Sequence, residues 1–173
     1  KNLNWGYGHP ILMFLYPLPS YFASLFHSLG LSLVDSVKMV FCIGFIASGV
    51  TMFLWIRNQF NEYAAVAAAA LYLYSPYRFI DLYVRGAIGE HVAFIFPPLI
   101  LYFLFKFLKE NEKGREYVYF LGISISFGLF LLSHNAISLM FIPFIFIYAV
   151  LLSFSVKKKI KLIYAFVALF SGF

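Results

Sequence analysis

The segment SPYRFIDLYVRGAIGEH, residues 75–91, sets Arg78, Asp81, Arg85, Glu90 and His91 between two stretches apolar enough to enter lipid. Charged residues make up only 12% of the chain, against a usual share of about 25%, so their concentration here points to chemistry. Arginines grip phosphate through paired N–H groups, and a carboxylate or imidazole beside them can orient an acceptor or carry a proton. If the chain past Pro76 is helical, Arg78 and Asp81 stand three apart and Asp81 and Arg85 four apart, which makes one charged face. Tyr74, Tyr77 and Tyr83 then anchor it at headgroup level. Gly86 and Gly89 loosen the chain before Glu90 and His91, at the mouth of the next span. On the residues alone two readings stay open: an anion site at the membrane edge, where charge marks function, and an interfacial helix held by its own ion pairs.

A second polar point is LLSHNAISL, residues 131–139, where His134 and Asn135 join two spans through almost no loop. A turn there needs polar residues, and a histidine adds a donor that can charge near neutral pH. His9 lies in GYGHP, a glycine-rich turn near the start. The four histidines, His9, His27, His91 and His134, show neither the i, i+4 spacing nor the paired cysteines of a metal centre. No metal ligand is therefore assigned, no organic cofactor is implied, and a divalent ion is left open.

The elements that must position these groups are membrane helices. The chain is 63% hydrophobic and 22% aromatic, with a mean hydropathy of +0.88, more apolar surface than a soluble fold of this length can hide. Apolar runs predict spans near 37–56, 63–77, 92–108, 117–133, 136–156 and, in part, 160–173. Pro76 ends the second run early, and Pro97-Pro98 predicts a kink within the third. Residues 1–36, rich in proline, read as outer interfacial or re-entrant helices, and AAVAAAA offers small residues for close helix contact. The opening KNLNWGYGHP and the apolar end LIYAFVALFSGF suggest an internal fragment of one transmembrane domain. Cys42, the one cysteine, lies inside an apolar run, which excludes an internal disulfide and a cysteine metal cluster.

The net charge of +6 and pI near 9.4 do not indicate nucleic acid, because the basic residues fall in short loops between spans. If RNQFNEY, KFLKENEKGREY and SVKKKIK are cytoplasmic, they hold nine of the thirteen Lys and Arg residues, as the bias of inner loops requires. The histidines, with Asp35, Asp81 and Glu90, then fall on the outer side. Glu62, Glu110, Glu112 and Glu116 sit among Lys and Arg as solvated loop charges. Membrane lipids are the expected surroundings, and nothing in the sequence specifies an oligomer.

YSPYRFIDLYVRGAIGEHVAFIFPPLILY resembles the signature of the bacterial 6-pyruvoyl-tetrahydropterin synthase-related membrane proteins, and LLSHNAISLMF resembles a second block of that family. Synthase activity is not implied: it needs three clustered zinc-binding histidines and a catalytic cysteine on a sheet-rich domain. The layout also resembles the GT-C glycosyltransferases, multi-span enzymes that take sugar from a polyprenyl-phosphate carrier on the outer side of the membrane. YPLPSYFASLFHSLGLSLVDSVKMV is similar to the end of their large outer loop. Their acidic residue lies soon after a first span, a position upstream of this chain.

The reading is an all-α, GT-C-like transmembrane helix bundle of the bacterial plasma membrane with an extracytoplasmic site. What the resemblance implies is transfer of sugar from a polyprenyl-phosphate carrier to an acceptor. Asp81, Glu90 and His91 are the candidate catalytic residues. Arg78, Arg85, His134, Asn135 and His9 are the candidates for binding substrate, with Arg78, Arg85 and His134 expected to converge on one phosphate. The alternatives are a transporter or flippase for lipid-linked or anionic solutes, since broken spans and charges at a cavity serve transporters too, and a non-catalytic envelope protein.

Overall fold

The computed structural model describes residues 16–156 and 159–172. Every regular element among them is helical: α1 Pro17–Ser28, α2 Leu33–Arg57, α3 Glu62–Leu73, α4 Pro76–Phe79, a π-helical turn Ile80–Arg85, α5 Ile88–Ala93, α6 Phe96–Lys109, α7 Lys113–Ser133, α8 Asn135–Val156 and α9 Lys159–Ser171. Several helices begin at a side chain that caps a free N–H of the first turn, or at a proline, which has no N–H to leave unpaired. Ser32 Oγ accepts from the Asp35 N–H at 3.1 Å, Asn61 Oδ1 accepts from the Ala64 N–H at 2.8 Å, and Pro17 and Pro76 open α1 and α4.

Among the described residues four helices are long and apolar enough to cross a membrane: Leu33–Arg57, Ile88–Lys109, Gly114–Ser133 and Asn135–Ser155. The second joins α5 and α6, and it corrects one expectation. Pro97 and Pro98 lie in the first turn of α6, where a missing N–H has no intrahelical partner to lose. The break in the helix is at Phe94 and Ile95, just before them. The run expected at 63–77 becomes α3, of 12 residues, followed by α4 and the π turn. Twelve residues rise only about 18 Å, less than the roughly 30 Å of a hydrocarbon core.

Over its most apolar 18 residues the central crossing, Ile88–Lys109, is 67% buried, whereas the same stretch of each of the other three is 28% buried. Ile100, Leu104 and Leu108 of α6 form one core with Ile123, Phe127 and Phe130 of α7, Ala149 of α8 and Ala168 of α9. Ile46 and Val50 on α2, Leu121 and Ile125 on α7, and Phe144, Ile147 and Leu151 on α8 stand exposed. An outer surface of that kind is stable against lipid. At one end of the bundle Lys161 Nζ donates to the Phe107 carbonyl at 3.3 Å, to the Glu110 carbonyl at 2.5 Å and to the Glu116 carboxylate. It thereby closes the C-terminus of α6 against α7 and α9. The opposite end carries the α4–α5 segment and the α7–α8 turn.

Candidate functional site

At that opposite end four elements meet around Glu90. Glu90 is 5% exposed, and its carboxylate is held from several sides. Arg85 donates through Nη2 to Oε1 at 2.5 Å and through Nη1 to Oε2 at 3.0 Å, a two-pronged ion pair. The Tyr77 hydroxyl donates to Oε2 at 2.6 Å and accepts from Arg85 Nη1 at 3.1 Å. His134 Nε2 lies 3.7 Å from Oε1. Hydrogen bonds from Glu90 and then Tyr77 hold the Arg85 guanidinium charged, its pKa raised above the ordinary value, and the bond to Glu90 raises that of Tyr77. The Arg85 side chain remains 46% exposed, so a cation fixed on one face by a buried carboxylate still presents another to a ligand.

The π-helical turn sets this geometry. It ends at Gly86, whose φ of +58° is a left-handed conformation that glycine adopts without strain, and the Gly86 and Ala87 N–H groups both bond the Asp81 carbonyl. The chain thus reverses within two residues and lays α5 back beside the turn, bringing Glu90 to Arg85.

Asp81 lies under the same arginine, with Oδ1 3.6 Å from Arg85 Nη1 and 0% of its side chain exposed. Neither of its carboxylate oxygens has a hydrogen-bond partner among the described residues. Burial pushes its pKa up to about 6, and the negative charge of Glu90 adds to the rise, outweighing Arg85 and Arg78. Arg78, 3% exposed, takes another direction. Its carbon Cζ sits over the rings of Phe94 at 4.8 Å, Tyr72 at 5.4 Å and Phe45 at 5.7 Å, an aromatic cage that holds a cation by its faces. None of its three nitrogens is satisfied by a hydrogen bond. The nearby Tyr72 hydroxyl donates instead to the Phe94 carbonyl at 2.7 Å. Burial lowers the Arg78 pKa from its ordinary value.

His134 ends α7 and begins α8. Its Nδ1 accepts from the Ile137 N–H at 3.3 Å, the bond an N-cap side chain makes, so the ring proton belongs on Nε2, facing Glu90. Burial lowers its pKa, against the opposing pull of Glu90, which favours the neutral form. Tyr16 covers the ring with centroids 3.9 Å apart. Gly89 makes the approach possible: a Cβ there would stand 2.6 Å from Tyr16 Cδ2, 3.0 Å from the Ser133 carbonyl oxygen and 3.2 Å from His134 Cδ2.

The structure therefore gathers Asp81, Arg85, Glu90 and His134 and adds Tyr77, Tyr16 and Gly89. From the sequence Tyr77 is expected only as an interfacial anchor and Gly89 only as a loosening residue, and nothing in it points to Tyr16. Glu90 and His91 lie inside a buried helix and not at an open mouth. His91 turns away from the cluster: its Nε2 bonds the Phe41 carbonyl at 3.1 Å, and its ring packs on Gly44 and Phe45 of α2. Asn135 is exposed at the start of α8. His9 falls outside the described residues. The described residues hold no group of three or more His, Cys, Asp or Glu arranged for a metal ion.

Residues 9–172 match the family model of the dolichyl-phosphate-mannose-protein mannosyltransferases. An uncharacterized protein of Lactococcus lactis subsp. cremoris (strain MG1363) is 26% identical over 166 residues, which is 91% of this chain and 26% of that protein. The chain thus spans about a quarter of the length of this relative. No solved structure matches the chain, and neither of the two matches relates it to pyruvoyl-tetrahydropterin synthase. The resemblance stands in its glycosyltransferase part: with a family model covering nearly all of its residues, this all-helical membrane chain belongs to the dolichyl-phosphate-mannose-protein mannosyltransferase family, a GT-C-like family of membrane glycosyltransferases.

Proposed function

We propose that the chain forms the carrier-phosphate site of a glycosyltransferase that moves sugar from a polyprenyl-phosphate carrier to an acceptor at the extracytoplasmic face of a bacterial plasma membrane. The observation that carries this reading is Arg85, a half-exposed guanidinium aligned by Glu90 and Tyr77 at one end of a lipid-facing bundle. When the bond between sugar and carrier breaks, negative charge gathers on the departing phosphate. A cation already oriented in a water-poor site stabilises that charge without reorganising during the reaction.

The other groups take supporting parts. Arg78, caged and buried, strengthens the positive field without touching the phosphate. Asp81 and Glu90 balance the two arginines and are the carboxylates paired with Arg85, which makes them the candidates for accepting a proton. His134 directs its Nε2 proton to Glu90, and His91 fixes α5 to α2. The outer placement follows from the basic loops at the Lys161 end of the bundle, which the bias of cytoplasmic loops puts inside.

A lipid-linked sugar transfer assay on the intact protein tests the reading. Arg85→Gln lowers kcat/KM by at least about 100-fold while the protein still accumulates in the membrane, and Arg85→Lys recovers only part, since lysine lacks the planar fork. Undiminished transfer by Arg85→Gln overturns the assignment.

A further inference from the structure

Arg85 serves two buried carboxylates, unequally. It pairs with Glu90 at 2.5 Å and only approaches Asp81, at 3.6 Å. Asp81 has no hydrogen-bond donor on either oxygen, while Glu90 has the Tyr77 hydroxyl and, at 3.7 Å, the His134 ring. These groups, with caged Arg78 beyond Asp81, are the charged and titratable neighbours of the pair from α4, the π turn, α5 and the α7–α8 turn. The guanidinium therefore faces two ways: its inner edge neutralises the carboxylates and its exposed part is the one open to an anion.

We infer that the carrier phosphate competes with Glu90 for Arg85, so that binding of the lipid anion is coupled to uptake of a proton by the Asp81–Glu90 pair. The inference rests on the carrier-phosphate reading above and assigns its regulation. As Arg85 turns toward the phosphate, two neighbouring carboxylates in a site almost closed to water lose their shared cation. Tyr77 and a neutral His134 offer hydrogen bonds but no charge. Burial disfavours two adjacent anions, and a single shared proton relieves it. The proton comes from solvent, no covalent bond forms or breaks, and the net charge of the cluster is kept. Release of the carrier reverses both steps. The site thus holds Arg85 neutralised when empty and releases it for a negatively charged lipid. The burial of Asp81, which already pushes its pKa up to about 6, places this exchange near physiological pH.

The test is calorimetry on the intact protein in detergent at pH 6.5, in buffers of differing ionisation enthalpy. The probe is farnesyl methyl phosphate, a phosphodiester whose own charge is constant over this range, so any proton taken up belongs to the protein. The expected result is uptake of about 0.3–1 proton per lipid bound. The Asp81→Asn/Glu90→Gln protein is expected to bind the lipid about three- to tenfold more tightly, because no carboxylate competes for Arg85, and to take up no proton. Its tighter binding also shows that it is folded. Inorganic sulfate serves as a second probe: uptake with the lipid alone assigns the coupling to a lipid-borne anion, and equal uptake with sulfate overturns that assignment. Lipid binding to the unaltered protein without proton uptake overturns the coupling and leaves the carrier reading standing. No lipid binding at all overturns the carrier reading itself.

Discussion

His134 Nε2 lies 3.7 Å from Glu90 Oε1, although α6 and α7 separate the two residues in the chain. Antiparallel helices joined by a short turn pack as neighbours, so α7 returns to the level at which α5 began, and Gly89 lets the two ends touch. Because the Ser133 carbonyl is backbone, it cannot move aside for a Cβ only 3.0 Å away. Gly89→Ala is expected to separate Glu90 from His134 and to destabilise the protein by about 1–3 kcal/mol, read as a lower unfolding temperature in detergent. An unchanged temperature contradicts the close approach.

The His134 ring caps α8 through Nδ1, a job that an asparagine side chain can also do. His134→Asn is therefore expected to keep more stability than His134→Ala, by about 1 kcal/mol. Thermal unfolding of the two variants side by side checks the order, and equal loss removes the cap.

Asp81 gives a pH dependence with a definite sign. Its pKa is raised from 3.8 to about 6 by burial first and the Glu90 charge second. Between those values the folded protein holds a proton that the unfolded chain has released, so this contribution to stability falls as pH rises through the window and levels off above it. Asp81→Asn is expected to raise the unfolding temperature at pH 7.5 by on the order of 3 °C and to leave it unchanged near pH 4. A stabilisation of the same size at both pH values points to packing and not to charge.

Four of the six expected spans and the presence of a polar end were legible in the sequence, because length and apolar content alone identify a membrane helix; the run at 63–77 is too short to cross. The i, i+4 spacing of Asp81 and Arg85 also gave their pairing. Arg78 escaped that logic: three residues before Asp81, it was expected on the same charged face, yet its side chain goes to rings from three elements, Phe45, Tyr72 and Phe94. Spacing along one helix cannot reveal a cage assembled by tertiary contacts. The tight pairing of Arg85 with Glu90 was hidden for a related reason, since it depends on the π turn and on the reversal at Gly86. Likewise Pro97-Pro98 marked a break correctly but not its side, which Phe94 and Ile95 decide.

The proposed membrane orientation rests on the basic loops and is open to direct labelling. With Cys42 replaced by alanine, a cysteine at Gly114 is expected to react with an impermeant maleimide only from the cytoplasmic side, and one at Ala87 only from outside. Both positions lie at helix ends, Gly114 exposed and Ala87 half-buried. The opposite pattern inverts the proposed face of the site.

The central claim is that Arg85 meets the phosphate of a lipid carrier, and the affinity of the intact protein for farnesyl methyl phosphate tests it most directly. The account predicts that Arg85→Gln weakens this affinity by at least about 30-fold, that Arg85→Lys falls between the two, and that the loss is seen in protein which, although less stable for want of Glu90's partner, is still folded at the temperature of the measurement. Equal affinity of the Arg85→Gln and unaltered proteins would contradict it, leaving Arg85 as the structural counter-ion of Glu90 and the carrier phosphate without its site.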